Sequence, residues 1–511
     1  MIKVWKLLLI LLVLTALVWL STLWRWQTNH VDPSTQDIVL QLVLLPLGLT
    51  AFIAISIWMV RRLRKYAVAP LPAPSAAASK GNTEPDAAQS KSGQAERVLA
   101  WNVLQSNALL RAGAEWGSIH AAIQSGECKA ELDPVLVGDD EVAFFTCRNK
   151  DITDEAALAL LTDSQGAPKA QDPKSAGAGT TQSNCRPEML RAMVLLQKNL
   201  EHMEEGLSAQ VEVLVNQEAE KEQRSSASLA LAPSAIQLQI AVPARWTAAE
   251  QLVASTLVNS WLAALQKKWQ QDQQSAHAAT VLKLQLLPVE NAEKQALAID
   301  NQLLQWHRSG TRGLLLAMAT DSLIGLDSIS ALSEAGVLFG VKHQNGTVPG
   351  EGAAALLLAN ANWPMQAEAV KTLPRLMRLS LVQRQKSADD IGKVSIVQLQ
   401  QATQDCLQAS GLQASDISAI CSDTDRRASR NTEVLEVMNA SLAHLEPNEH
   451  ALCLGIGCGE MGVARYLVSV ATAATQVQTK QAPILVLGAN DALQRSAQLV
   501  NTQQAPTPAS A

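Results

Sequence analysis

The segment from Gly346 to Leu358, GTVPGEGAAALLL, constrains the fold of this chain more than any other part of its sequence. Pro349 fixes one φ angle of a tight turn, while Gly350 and Gly352 permit backbone conformations that other residues rarely adopt. The stretch that follows, Ala353 to Leu358, contains no polar side chain. Such a run is typical of a strand that is buried on both faces of its sheet.

Two apolar runs near the start of the chain are each long enough to cross a membrane. Leu7 to Trp24 is 18 residues without a charge, and Ile38 to Val60 is 23. A helix needs roughly 20 such residues to span a bilayer core of about 30 Å. A cleaved signal peptide is the alternative for the first run, since Lys3 and Lys6 precede it, but Trp24-Arg25-Trp26 follows in place of small residues. We predict a retained transmembrane hairpin over residues 1–66.

Positive charge beside the two runs predicts their orientation. Arg61, Arg62, Arg64 and Lys65 follow the second run, whereas the loop between the runs holds a single Arg. The positive-inside rule therefore places both flanks in the cytoplasm. The expectation is a multi-pass protein of a bacterial inner membrane whose N- and C-termini are both cytoplasmic.

Charge and cysteine usage argue against several classes of function. The net charge of -6 argues against a nucleic-acid binder. The seven Cys are odd in number and form no CxxC pair, so neither a zinc site nor a disulfide framework is indicated. His202 stands in EHMEE, which is not a metalloprotease motif. No metal and no cofactor are expected.

Composition divides the remaining chain into linkers and folded segments. Residues 67–97 and 501–511 are rich in small and polar residues and are predicted to be a flexible linker and a disordered tail. Residues 165–184 have a similar composition and are predicted to be a disordered loop. Elsewhere, helical spacing of apolar residues alternates with short strand patterns, which predicts an α/β fold with covered sheets. Among these elements are a predicted strand over Ala451 to Ile456 and a predicted helix over Met461 to Val477.

Several motifs occur in a fixed order before and after the segment Gly346 to Leu358. Gly313 to Leu323 reads GLLLAMATDSL and precedes the glycine turn; Val394 to Glu433 holds a helix, a strand and a polar loop; Gly457 to Ala464 reads GCGEMGVA; and Ile484 to Asn490 has the pattern of a strand. This order resembles that of β-ketoacyl synthases, in the thiolase-like superfamily. The resemblance implies a five-layer α/β fold of two pseudo-symmetric halves, residues 98–360 and 361–500, preceded by two transmembrane helices.

The resemblance also implies three catalytic groups, and this chain has replaced all of them. In the family, a Cys at the N-terminus of a buried helix accepts the acyl group, and two His residues assist decarboxylation and stabilise the oxyanion. The matching helix begins near Glu290, and Leu282 to Gly310 contains no Cys. The two His positions are occupied by Ser422 and Cys458. The expectation is a protein without ketosynthase activity.

Residues around these positions are candidates to line a remnant ligand pocket. They lie in the Asp-Ser turn, in the glycine turn and in the two loops that replace the His motifs. The candidates are Asp321, Ser322, Gly350, Gly352, Ser422, Thr424 and Cys458. Cys458 has two interpretations: a thiol at a helix N-terminus with a lowered pKa, able to act as a relocated nucleophile, or a buried structural Cys.

The glycines at positions 457, 459 and 462 also match a dinucleotide-binding fingerprint. That fold requires further strands, but only about fifty residues remain after this point, and no acidic residue follows about twenty positions on. A tight strand-to-helix turn explains the glycines better.

Together these patterns predict a membrane-anchored, catalytically inactive, ketosynthase-like binding or scaffold protein. It would lie on the cytoplasmic face of a bacterial inner membrane, as part of an envelope or secretion assembly. The alternative is an acyltransferase or thioesterase that acts on acyl-carrier-protein or coenzyme A thioesters. The resemblance implies a homodimer, and acyl carrier protein is a further candidate partner.

Overall fold

A computed structural model describes residues 96–138, 141–157, 185–224, 233–271, 282–341, 343–365, 367–390 and 394–502, together with positions 19, 159 and 392. Apart from Trp19, the predicted transmembrane runs lie outside this part of the chain. Nearly all of the predicted linker, the loop at 165–184 and residues 503–511 also lie outside it. No helix in the described ranges is both long and apolar enough to cross a membrane. The elements below all belong to one compact unit that begins at Asp86.

Strands and helices alternate along this unit. The strands are β1 (Ala100–Leu109), β2 (Glu131–Val137), β3 (Ala143–Thr146), β4 (Ser234–Pro243), β5 (Leu282–Val289), β6 (Arg312–Ser322), β7 (Glu351–Ala359), β8 (Arg375–Met377), β9 (Ser380–Gln383), β10 (Ala419–Asp425), β11 (Ala451–Cys453), β12 (Ile484–Gly488) and β13 (Gln494–Asn501). The α-helices are α1 (Trp116–Gln124), α2 (Pro187–Arg224), α3 (Ala248–Gln271), α4 (Ala292–Ser309), α5 (Leu326–Glu334), α6 (Ala367–Thr372), α7 (Val397–Ser410), α8 (Ala428–Ser441), α9 (Pro447–His450), α10 (Leu454–Cys458) and α11 (Arg465–Lys480).

The strands of the two halves are arranged in the same order. In the first half the spatial order is β1, β7, β6, β4, β5, and in the second it is β9, β13, β12, β10, β11. β7 in the first half and β13 in the second are antiparallel to both of their neighbours within the half. The strands β6, β4 and β5 are parallel to one another, and so are β12, β10 and β11. The α/β class and the repeated half predicted from the sequence are therefore confirmed.

A three-residue strand joins the two half-sheets. β8 pairs with the start of β1 on one side and with Val500 and Asn501 of β13 on the other. The half-sheets thereby become one continuous 11-stranded sheet. A separate hairpin is formed by β2 and β3.

Alternate residues of the central strands face two different layers of helices. In β7, Ala354, Leu356 and Leu358 face the core that contains α4 and α11, and the residues between them face α2 and α3. In the second half, α7 and α8 cover the outer face. The layers therefore run from α2 and α3 through the first half-sheet, α4 and α11, and the second half-sheet to α7 and α8. The opening apolar run is the strand β7, buried on both faces as predicted.

Two predicted elements end or begin at different residues in the structure. The strand predicted over Ala451 to Ile456 ends at Cys453, where the chain turns into α10. The helix predicted from Met461 begins at Arg465. Gly459 and Gly462 have φ angles of 70° and 54°, and a residue in this left-handed region cannot continue an α-helix.

The glycine turn of the first half packs against a loop of the second half. The Gly350 amide donates to the Glu460 carbonyl at 3.0 Å, and the Glu460 amide donates to the Val348 carbonyl at 2.8 Å. A Cβ at Gly350 would overlap the carbonyl oxygen of Cys458. The absence of a side chain is thus required by the close approach of two backbones.

We expect Gly350→Ala to destabilise the unit by about 1–3 kcal/mol, because the added methyl group forces these backbones apart. Urea unfolding of the full chain, followed by circular dichroism, measures the change. Gly340→Ala is the matched control, because no atom lies within 4 Å of a Cβ at that position. Equal stability of the two variants would contradict the packing argument.

Candidate functional site

The region that corresponds to the expected active site lies in the central layer, where the two halves meet. The helix expected to carry the nucleophile is α4, and it begins after Asn291, whose side chain accepts a hydrogen bond from the Lys294 amide at 3.1 Å. Glu293 stands in its first turn and is 1% exposed. A buried carboxylate therefore occupies the helix start at which the resemblance expects a Cys.

A single guanidinium lies within ion-pair distance of this carboxylate and three others. Arg465, the first residue of α11, is 7% exposed. It donates from Nη2 to both carboxylate oxygens of Glu293 at 2.8 Å and from Nε to Oδ2 of Asp423 at 3.1 Å. Oxygens of Glu460 and Asp491 lie 3.6 and 3.8 Å from its nitrogens. We refer to these five residues as the Arg465 cluster.

Backbone and amide groups hold the acidic members of the cluster in place. Oδ1 of Asp423 accepts hydrogen bonds from the Ala489 and Asn490 amides at 2.8 and 3.1 Å. Glu460 accepts from the Gly462 amide at 2.8 Å and from Nδ2 of Asn490 at 2.6 Å. The carboxylates are thus fixed between the β12–β13 loop and the loop before α11.

Burial and the excess of acidic groups determine the protonation of the cluster. Burial raises the pKa of Glu293, Asp423 and Glu460 above their ordinary values, although the guanidinium of Arg465 acts in the opposite direction. Burial disfavours the charge of Arg465, but the surrounding carboxylates raise its pKa well above the ordinary value. The arginine therefore stays charged, and its acidic partners bind protons more readily than in the unfolded chain.

The side chains at Ser422 and Thr424 face away from this cluster. In β10, Ile420 packs in the apolar core that contains α7 and α8, whereas Cys421 packs in the core that contains α4 and α11. Because side chains alternate along a strand, Ser422 and Thr424 share the outer face, whereas Asp423 faces the central layer. Ser422 only accepts a hydrogen bond from the Thr424 amide, at 3.3 Å. The group of this motif that reaches the central layer is Asp423, which the sequence analysis did not select.

Cys458 does not have the environment of an activated thiol. It is the last residue of α10, not the first residue of a helix, and it is fully buried. Burial raises its pKa to about 12. Of the two interpretations of Cys458, the activated thiol at a helix N-terminus does not fit this environment, because the chain leaves β11 three residues earlier than predicted and Cys458 falls at the opposite end of the short helix. The interpretation as a buried structural Cys does fit it.

The other candidate residues take part in the packing between strands and loops. Asp321 forms a bidentate pair with Arg245 and accepts from the Val463 amide at 3.0 Å. Ser322 donates to Oε2 of Glu351 at 2.9 Å. Gly350 and Gly352 lie beside Cys458 and Met461.

The structure thus brings Asp321, Gly350, Gly352 and Cys458 against the loop before α11, while Ser422 and Thr424 lie apart on the outer face. In the described ranges, no group of three or more His, Cys, Asp or Glu side chains is placed to hold a metal ion.

The architecture has counterparts among solved structures. The chain is similar to the ketosynthase from module 6 of the bacillaene synthase of Bacillus subtilis 168, with a TM-score of 0.50 and 10% identity over 79% of this chain and 72% of that chain. It is also similar to a β-ketoacyl synthase from Burkholderia phymatum STM815, with a TM-score of 0.46 and 12% identity over 80% of this chain and 100% of that chain. No family model and no curated protein matches the sequence. The likeness shows a thiolase-like, ketosynthase-like fold.

We expect Arg465→Met to destabilise the unit by about 3–5 kcal/mol at pH 8, because it leaves buried carboxylates without a counter-ion. The deficit should shrink at pH 5. Without the guanidinium, the folded-state pKa values of Glu293, Asp423 and Glu460 lie further above their unfolded values near 4, so stability is lost as the pH rises from about 4. Urea unfolding of the full chain at both pH values measures the effect.

Arg308→Met is the control for this variant. Arg308 lies at the exposed end of α4 and pairs with Glu96 at 2.7 Å. Its removal should change stability little at either pH, because an exposed ion pair is well solvated. If the loss of stability in Arg465→Met does not vary with pH, this result would contradict the raised pKa values of Glu293, Asp423 and Glu460.

Proposed function

We propose that this protein is a catalytically inactive, ketosynthase-like binding or scaffold protein, anchored in a bacterial inner membrane with its folded unit in the cytoplasm. Its partners would be proteins of an envelope or secretion assembly. The observation that carries the proposal is the Arg465 cluster, because the buried, ion-paired carboxylate of Glu293 occupies the helix start at which the resemblance places the nucleophile.

The chemistry of the cluster supports inactivity. Acyl transfer on this fold requires a thiolate and hydrogen-bond donors aimed at a developing oxyanion. Glu293 accepts both of its short hydrogen bonds from a guanidinium, and Asp423 has both oxygens engaged. Arg465 directs Nε and Nη2 at these carboxylates and Nη1 at the Gly462 carbonyl, so its hydrogen bonds are made within the protein.

The thiols near the junction also favour this interpretation. Cys147 is buried beside the glycine turn, and burial raises its pKa to about 11. Burial raises the pKa of Cys458 further, to about 12. At neutral pH the thiolate fraction of either group is minute, so neither is a ready nucleophile.

The alternative function, an acyltransferase or thioesterase with a relocated nucleophile, remains the second hypothesis. It would require one of these thiols to become accessible when an acyl carrier protein or coenzyme A thioester binds. Covalent capture of the acyl group is the property that separates the two hypotheses.

Incubation of the purified full chain with acyl-coenzyme A and with acylated acyl carrier protein tests the proposal. We expect mass spectrometry of the intact chain to show no acyl adduct, and thiol release to stay at the rate of the protein-free reaction. Acyl carrier protein retained on the immobilised chain without reaction would agree with a binding role.

The matched variants are Cys458→Ser and Cys406→Ser. Cys406 lies on α7 in the outer layer, is equally buried, and has a pKa raised by burial to about 12. An adduct that is lost in Cys458→Ser but kept in Cys406→Ser would refute inactivity and establish the enzyme hypothesis.

We further propose that two copies associate through the outer strand of the first half. β5 lies at the edge of the sheet and pairs on one side with β4 among the described strands. Its Lys283 and Gln285 are exposed, while Leu282 and Leu284 are half-buried. An eight-residue strand with a free edge favours pairing with a second copy about a two-fold axis.

Cells that produce the full chain should contain it in the membrane fraction after alkaline washing. After extraction in detergent, light scattering should give a protein mass twice that of one chain. Recovery in the soluble fraction would refute the anchor, and a monomeric mass would refute the dimer.

A further inference from the structure

A cavity of about 230 Å³ lies at the end of α4 that is remote from the Arg465 cluster. It is bounded by the start of β1, by the residues after β7 and by Leu303 and His307 of α4. At 1.5 Å per helical residue, these two residues lie about 15–21 Å along the axis from Glu293. The cavity is therefore separate from the site described above.

The cavity is lined by a cation without an anionic partner among the described residues. This cation is the side chain of Arg375 in β8, which makes no hydrogen bond or ion pair with any residue of the described part of the chain. Arg378, three residues further on, is by contrast paired with Asp300 at 2.7 Å. Burial without a compensating carboxylate lowers the pKa of Arg375, yet a guanidinium stays charged at neutral pH. A half-buried charge of this kind is costly unless something pairs with it.

Amide side chains extend the polar end of the cavity. Asn102 of β1 and Asn501 of β13 stand directly opposite Arg375 on either side of β8, so the three side chains share one face of the sheet. Asn102 lines the cavity as well. Asn501 is buried, and its Oδ1 has no hydrogen-bond partner within the described ranges. The polar end thus has unused hydrogen-bonding capacity next to the unpaired charge.

Apart from His307, Asn360 and Asn362, the other described lining residues are apolar, and none of the described lining residues is acidic. Val98, Leu303, Trp363 and Met365 line the cavity together with Arg375, and we refer to these four as its apolar wall. The volume is smaller than the roughly 300–1,000 Å³ of a typical ligand pocket, so a matching ligand would be small. A permanent cation at one end and an apolar wall along the side suit a molecule with an anionic head and a short hydrocarbon body.

We propose that this cavity binds a small organic anion, a carboxylate or a phosphate monoester, whose head pairs with Arg375 and whose body packs on the wall around Trp363. The fork of the guanidinium matches either head in a bidentate geometry. This site is independent of the proposed function, because it shares no residue with the Arg465 cluster.

Thermal unfolding of the full chain in the presence of defined probes tests the proposal. The probes are hexyl phosphate, hexanoate, inorganic phosphate and 1-hexanol. We expect at least one of the two organic anions to raise Tm in a saturable manner, and comparison of the two identifies the preferred head group. Hexanol should have little effect, and inorganic phosphate should bind at least tenfold more weakly than the better organic anion.

Arg375→Met should weaken this binding at least tenfold, whereas Arg97→Met, which removes an exposed arginine just before β1, should leave it unchanged. Ala361→Trp provides a second variant that keeps all charges, and its side chain should fill the cavity and weaken binding as well.

Three results would each overturn the proposal: no saturable shift with either organic anion, unchanged affinity in both cavity variants, or equal binding of hexanol. Equal affinity for inorganic phosphate would also overturn it, because the apolar wall would then have no role.

Discussion

The two halves of this protein are held in register by one buried arginine. Arg465 belongs to the second half, and its strongest partner, Glu293, belongs to the first. A guanidinium and several carboxylates are expensive to remove from water, and their mutual attraction offsets the cost only where the geometry is good. The cluster therefore demands one particular placement of α4 against α11, and the central layer can form in only one way.

Other buried ion pairs repeat this arrangement across the unit. Arg191 pairs with Glu351 at the start of β7, and Arg495 pairs with Glu433 in the second half. Each links segments that are distant along the chain, and in each the hydrogen-bonding groups are well satisfied. The polar interior of this unit thus contains ion pairs that link segments distant along the chain.

The fold could be predicted from the sequence because burial periodicity is local. The apolar run after Gly352 and the alternation of helices and strands each depend on a few neighbouring residues. The Arg465 cluster could not be predicted in this way, since its members come from four separate segments. A weak signal existed: Arg465 is a charged residue within an otherwise apolar or small-residue stretch. The position of Cys458 at the end of a short helix could not be predicted either, because the order of short elements between positions 451 and 465 depends on the glycine angles.

The pairing of β1 with β7 has a consequence for synthesis of the chain. Asn102 and Ala359, which are bonded across these strands, are 257 residues apart in sequence. At roughly 5–20 residues per second, the ribosome would need about 13–50 s to deliver the partner after β1 appears. During that interval β1 has neither of its strand neighbours, so the nascent first half exposes an apolar edge. Successful production of this protein therefore depends on how that edge is protected while translation continues.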